Sequence, residues 1–413
     1  MKSKIAFLLV FQILFFLGSR GSAWAVEIDQ TLIRIGILTE QEFSTVRAQS
    51  FSGNWTATFH PLIASGSVKT DQPVTSEVVA EGEDLAISLT RKGILGKISN
   101  GKEISEGYEK VVISGGELIS LEVPGNQPIL GQGTIEVTFN ENILVIVNQI
   151  TIHQALVSSV SKFGPSSEIE ALKAYIIMAR SRLVFLKENS QHKGETFDVC
   201  DEEHCLPFAG AGYNRELVDI LVTMTANQTL EYKGKKICPR FHHTCGGKTS
   251  SARELLGIND EPYHAAIEDR IDSKGSENCF HSPGFHWSVE LSKLDLLDFI
   301  SLSWAGGADR IFTGWEPQVI DSSGRIVKVL LRGRRPKEIN AIEFFENLQS
   351  YFGPNSLKSM RFSMEVQRRS VIFRGMGQGI GLGMCLYGAD GMAKKGKKCE
   401  EILSFYYPGT NLK

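Results

Sequence analysis

The side chains in this sequence that could do chemistry are bunched. His192, Cys200, His204 and Cys205 put two imidazoles and two thiols within 14 residues, and Cys245 follows beside the paired glycines Gly246 and Gly247. Zinc takes four nitrogen or sulfur ligands in a tetrahedron, so this set suits zinc. The gap between Cys200 and Cys205 is a little long for a tight zinc knuckle, although a loop permits it. The same thiols suit a disulfide in an oxidising compartment, either Cys205 with Cys245 or Cys200 with Cys205. Composition does not separate the metal from the bridge. The chain has seven cysteines, so at least one thiol stays unpaired within it. The second candidate group is carboxylate. Glu168 and Glu170 stand near each other and could donate a proton. The plainer reading makes them first-turn helix residues, where negative charge complements the macrodipole. His242 and His243 read as strand-end or loop residues.

These groups need elements to hold them. Ile169, Leu172, Ile176, Ala179, Leu183 and Leu186 recur at spacings of three and four, which predicts a helix over 167–189. Pro165 marks its entry, and Ser167 with Glu170 fits a capping box. Upstream, short apolar or alternating runs predict strands at 32–38, 84–89, 117–123 and 133–139, with a turn at Asn140–Asn142. Downstream, 230–237 reads as a hairpin that leads through 240–243 into the Cys245 loop. Near the C-terminus glycine recurs at 375, 377, 379, 381 and 383. That period predicts a strand or extended segment with one bare face, which a ligand or another backbone can approach closely. An apolar helix follows near 388–405. The predicted fold class is α+β: a mostly antiparallel β core with the 167–189 helix packed on it and a C-terminal helix, preceded by a β-rich N-terminal region.

Lys2 and Lys4 precede the apolar run Ile5–Leu17, and Ala23–Ala25 offers a small-residue cleavage site. Residues 1–25 therefore read as a secretory signal peptide, although an uncleaved anchor is the alternative. Losing Lys2, Lys4 and Arg20 would take the formal charge from −3 to −6. No basic patch stands out, which argues against nucleic acid as a partner. No later run is long and apolar enough to span a bilayer. The expected location is extracytoplasmic, in the periplasm or cell envelope.

The C-terminal stretch carries a resemblance. Gly375, Gly377, Gly379, Gly381, Gly383, Cys385, Gly388, Ala389 and the closing Tyr406, Tyr407, Pro408, Gly409 and Thr410 are similar, without gaps, to the signature of the SpoIID/LytB family of cell-wall proteins. Glu170–Ala174 with Ala179 and Arg180 resembles that family's helix, and His243–Thr249 resembles its paired-glycine loop. His192 to Cys205 resembles a segment thought to hold zinc in some members. The resemblance covers about 135–413, leaving 26–134 as the N-terminal region. It implies action on peptidoglycan. Catalytic members carry a glutamate just before the helix, suited to protonating a glycosidic oxygen. That position here is Lys162 or Phe163, depending on how Pro165 is matched. Tyr175, Ile380 and Leu386 replace a glutamine, a histidine and a glutamine of the family pattern.

The resemblance thus implies a cleft built around Tyr175, Arg180, Gly377, Gly379, Ile380, Gly381 and Leu386, expected to be apolar and to lack a carboxyl in the place of the family acid. It leaves three readings open. One is an exported factor that binds or helps remodel peptidoglycan glycan strands, alone or with a cell-wall hydrolase, and turns over little or nothing. Another is an active lytic transglycosylase whose acid has moved to Glu168 or Glu170. The third is a structural envelope protein. Trp287, Trp304, Trp315, Tyr406 and Tyr407 are candidates for stacking on sugar rings, although core packing is the commoner fate of such residues.

Overall fold

A computed structural model of the chain describes residues 30–61, 74–213, 215–258, 261–271, 275–304, 312–333 and 336–413. The expected signal peptide and its cleavage site lie outside them. The architecture is α+β. Among the described residues, twelve strands form one large sheet that is antiparallel apart from one pair. Its strands follow the apolar runs closely, as at Leu32–Ile37, Asp84–Thr90 and Ile143–Thr151. Alternate residues of Asp84–Thr90 and Thr134–Asn140 are buried, as expected for strands with one face on the core. Thr134–Asn140 pairs with Glu103–Gly115 on one side and Ile143–Thr151 on the other. The sheet therefore runs on from the N-terminal region into the residues beyond 135. The expected turn after Asn140 is present, with Glu141 at a left-handed φ of 52°.

The predicted long helix spans Ile169–Glu188, and its burial exceeds the one stripe read from spacing. Tyr175, Ile176, Ile177, Met178, Ala179, Arg180, Ser181, Arg182 and Leu183 are all buried in succession. A helix enclosed on every side is a hub rather than a lid. It packs against the helices Ile152–Phe163, Glu216–Met224, Leu386–Lys394 and Cys399–Tyr406. Its start differs from the expected capping box. Glu168 is the N-cap residue and offers no side-chain cap, while the Ser166 hydroxyl accepts the Glu168 N–H at 2.9 Å. A capping box does occur one helix earlier, where Thr151 and Gln154 satisfy each other's backbone N–H groups. The single helix expected near 388–405 is two. Gly396 breaks it with a φ of 85°, and its N–H closes a turn on Ala393 O at 2.9 Å.

The described residues between 286 and 376 build a second lobe that sequence reading did not separate. Three-stranded sheets at His286–Ser292, Phe362–Val366 and Ser370–Met376 and at 312–340 pack with the helices Lys293–Trp304 and Ala341–Phe352. Trp287, Phe299, Val329, Phe344, Leu348 and Phe373 form its core, distinct from the main one. Among the described residues, no helix is long and apolar enough to cross a membrane.

The glycine-rich segment departs from the expected strand. The strand ends at Met376, and Gly377, Gly379, Gly381 and Gly383 take φ values of 82°, 93°, 86° and 71°. Alternate left-handed residues make a ratcheted loop, a conformation open to glycine and costly for other residues. Protein fills the space that missing side chains leave. A Cβ on Gly383 would stand 1.9 Å from Arg240 O, and one on Gly381 2.3 Å from Arg325 Cζ. Close approach is therefore real, but the approaching groups belong to the chain itself.

Candidate functional site

His192, Cys200, His204 and Cys205 converge as their spacing suggests. Each offers one ligand atom, and the four atoms lie within 4.8 Å of one another. Cys200 sits on a two-residue strand, Val199–Cys200, laid parallel beside Leu32–Ile37 with Gly36 opposite it. A turn closed by Cys205 N on Glu202 O, at 3.0 Å, brings His204 and Cys205 back to it. Cys200 Sγ meets His204 Nε2 at 3.1 Å, and His192 Nε2 meets Cys205 Sγ at 3.3 Å. Arg182 braces the turn from the long helix. Its Nε donates to Cys205 O, its Nη2 to His204 O at 2.5 Å and its Nη1 to Pro239 O at 3.1 Å. Sequence reading missed Arg182, although its place on the long helix, three residues before Phe185, was in view.

The two thiols titrate apart. Bonding to Cys205, together with burial, pushes Cys200 up to about 12, and the same bond holds Cys205 down at about 7. One of the pair thus ionises readily, as a metal-binding thiol must. A tetrahedral zinc site sets sulfur and nitrogen atoms about 3.5–3.8 Å apart, and this donor set fits with small adjustments. Four protein ligands would close the coordination shell, which is the pattern of a structural ion. Cys245 does not join them. Its loop turns through Gly246 and Gly247, at φ 70° and 103°, and carries the thiol to Asp269 and Cys279 instead. All seven thiols are unbridged in the structure.

Beside the cluster lies a cleft of about 530 Å³ between the main body and the second lobe. Phe163, Tyr175, Phe241, Ile380 and Leu386 give it an apolar stretch, and His204 brings the ligand cluster to its wall. The expectation of an apolar groove holds only along that stretch. Asp201, Glu202 and Glu203 enter from the ligand-bearing turn, Glu346 from the second lobe, and Arg182, Arg240 and Lys358 supply positive charge. Burial, with Asp201 and Glu40 nearby, pushes the half-buried Glu202 up to about 7. These carboxylates could not be placed from sequence, because the lobe and the turn meet only in three dimensions.

The other candidates separate. Gly379 lines the cleft, whereas Gly377 packs on Thr244 O and Gly381 on Arg325. Arg180 is turned away: it is 2% exposed and ties off the end of the helix Glu216–Met224 through Val222 O at 3.0 Å and Thr225 O at 2.7 Å. Lys162 is exposed and donates to Tyr213 Oη at 2.8 Å. Glu168 and Glu170 do not line the cleft. Glu170 Oε2 accepts the Cys399 N–H at 2.9 Å, and Lys173 reaches Oε1 at 3.2 Å. Burial works to raise Glu170, but those two partners outweigh it and hold the carboxyl below its ordinary value. Of the aromatics, Tyr406 and Tyr407 are fully buried, Trp287 bonds Gly377 O, and Trp304 and Trp315 pack on Phe344.

A family profile described as stage II sporulation protein, SpoIID, matches residues 140–232, which span the strand Ile143–Thr151, the helix Ile152–Phe163, the long helix and the turn from Cys200 to Cys205. That match supports a divergent SpoIID-family member. It is 26% identical over 270 residues to an uncharacterized protein of Brachyspira hyodysenteriae, covering 65% of this chain and 68% of that one. It is 25% identical over 281 residues to stage II sporulation protein D of Bacillus subtilis, covering 64% of this chain and 75% of the relative. It is 24% identical over 291 residues to the amidase enhancer of Bacillus subtilis, where the match takes in 60% of this chain but 38% of the relative.

Proposed function

We propose that this protein is an exported cell-envelope factor that binds peptidoglycan glycan strands in the cleft between its two lobes and turns them over little or not at all. The observation that carries this reading is the chemistry at the mouth of the long helix. Where the resemblance expects an acid, Phe163 lines the cleft and Lys162 points to Tyr213. Tyr175, Ile380 and Leu386 continue the apolar surface where the family pattern has amides and an imidazole. Without an acid at the leaving oxygen, a general-acid contribution of about 10²–10⁴ in rate is missing. Apolar faces with flanking charged groups still suit a sugar chain, whose rings present both CH faces and hydroxyls. His192, Cys200, His204 and Cys205 would hold zinc as a structural ion that fixes the cleft wall at His204. Kinship to an amidase enhancer makes a cell-wall hydrolase the natural partner.

The reading as an active transglycosylase keeps one specific support, but its acid moves. Glu170 is occupied by Cys399 and Lys173, whereas Glu202 lines the cleft. Two measurements decide. Purified glycan strands lacking stem peptides should co-sediment with the protein. After long incubation, mass spectrometry should find no anhydro-sugar ends. Anhydro ends made by the wild type and lost in Glu202→Gln would overturn the non-catalytic reading, and failure to co-sediment would overturn glycan binding.

A further inference from the structure

A second group of ligating side chains lies where Cys245 went. Cys245, Asp269, Cys279 and Cys385 each bring one ligand atom within 4.8 Å of the others, and all four residues are 0% exposed. Cys245 Sγ stands 3.4 Å from Cys279 Sγ and 3.0 Å from Asp269 Oδ2. Three separate chain segments supply the set, one of them carrying both Asp269 and Cys279. Buried cysteines alone often serve as small apolar residues. A fully buried aspartate does not fit that description, because an enclosed carboxylate is costly unless a charge or strong donors compensate it. The bonds to Asp269 come from neutral groups: Tyr406 Oη at 2.5 Å, Asn278 Nδ2 at 3.1 Å and the Cys245 thiol.

The surroundings are built for sulfur and oxygen ligands. Backbone N–H groups of Cys245 and Gly388 donate to Cys385 Sγ, each at 3.2 Å, and the Gly247 N–H donates to Cys245 Sγ at 3.3 Å. Such donors orient ligand sulfurs and stabilise their charged form. Gly388 lacks a side chain where one would matter: a Cβ there would lie 2.7 Å from both carboxylate oxygens of Asp269. Sulfurs around a tetrahedral zinc stand about 3.8 Å apart, so the present spacing needs only a few tenths of an ångström of expansion.

We propose that Cys245, Asp269, Cys279 and Cys385 form a second, fully enclosed metal site that takes zinc. Three thiolates favour a borderline-soft divalent ion over magnesium or calcium, and four protein ligands leave no open position. The ion ties the Cys245–Gly247 loop, the segment carrying Asp269 and Cys279, and the start of the helix Leu386–Lys394 into one piece beneath the glycine-rich loop. This site is separate from the His192–Cys205 cluster and does not depend on the proposed role in glycan binding.

The test counts metal in the full exported chain, made with zinc and without chelators. A mercurial titrates the thiols while a chromophoric chelator reads released zinc. The wild type should release two equivalents. The double variant Cys200→Ser/His204→Ala should retain one, and Cys279→Ser should lose one. If Cys279→Ser does not fold, the counts for the wild type and the double variant decide alone. Cobalt loaded into the double variant should give an intense thiolate-to-cobalt charge-transfer band. The proposal is overturned if the double variant binds no metal, or if digestion without reductant yields a peptide pair linked through Cys245 and Cys279.

Discussion

Gly383→Ala tests whether the glycine-rich loop is held by the chain's own backbone. An added Cβ would stand 1.9 Å from Arg240 O and 2.5 Å from its carbonyl carbon. Ordinary contact begins near 3.4 Å, so that carbonyl would have to retreat by about 1.5 Å. Backbone cannot rotate out of the way as a side chain can. The same oxygen accepts the Met384 N–H at 3.0 Å and the hydroxyl of the fully buried Tyr407 at 2.7 Å. Moving it strands two buried donors, each costing about 1–3 kcal/mol. The φ of 71° adds about 1–2 kcal/mol for a residue with a Cβ. The sum is about 5 kcal/mol, a large part of the ~5–15 kcal/mol that keeps a domain folded. Gly396→Ala separates the two causes, because Gly396 has a φ of 85° with nothing within 4 Å of the added carbon. It should cost only the conformational part, about 1–2 kcal/mol. Denaturant unfolding followed by circular dichroism gives both values. Equal midpoints for the two variants would refute the claim that Arg240 blocks this position.

His242 and Glu170 give two further predictions. Burial, then the charge of Arg325, lowers His242 from 6.5 to about 3, while its Nδ1 bonds Leu382 O at 2.9 Å. The unfolded chain takes up this proton as pH falls through 6.5 and the folded chain does not until about 3, so stability is full above 6.5 and declines across that window. The whole gap is worth about 5 kcal/mol, and His242→Asn, which keeps a donor for Leu382 O, should flatten the acid limb of a plot of stability against pH. Glu170→Gln should lower stability by about 0.5–1.5 kcal/mol through its bonds to Cys399 and Lys173, and should leave glycan co-sedimentation unchanged. A selective loss of function in that variant, with stability intact, would return Glu170 to the site.

What sequence could show here tracks how local the cause is. The strands at 32–37 and 134–140 and the helix 169–188 follow from side-chain periodicity, which nearby residues decide. The convergence of His192, Cys200, His204 and Cys205 is legible for the same reason, since one short loop carries them. Cys245 sits apart from the neighbours its sequence suggests, because Asp269, Cys279 and Cys385, which surround it, come from distant parts of the chain. The alternating glycines show how one pattern can have two causes. Period two suggested a strand with a bare face, yet each of the four glycines after Met376 is left-handed.

The same distinction bears on the cleft. Tyr175, Ile380, Leu386 and, on one of the two matchings of Pro165, Phe163 stand where the family pattern is polar, and all four line the cavity. Glu202 and Glu346 reach it from a turn and from a lobe whose meeting no spacing rule encodes. Loss of an acid at one position therefore does not empty the cleft of carboxylates. The glutamate to watch is not the nearest one in sequence. Glu170, eight residues from Lys162, spends both oxygens on Cys399 and Lys173, which fastens the long helix to the C-terminal one. Glu202 lies on the turn that brings His204 and Cys205 back to Cys200. Any chemistry left in this cleft should then depend on the turn's integrity, and with the proposed zinc bound there, chelation should disturb it before any change at Glu168 or Glu170 does.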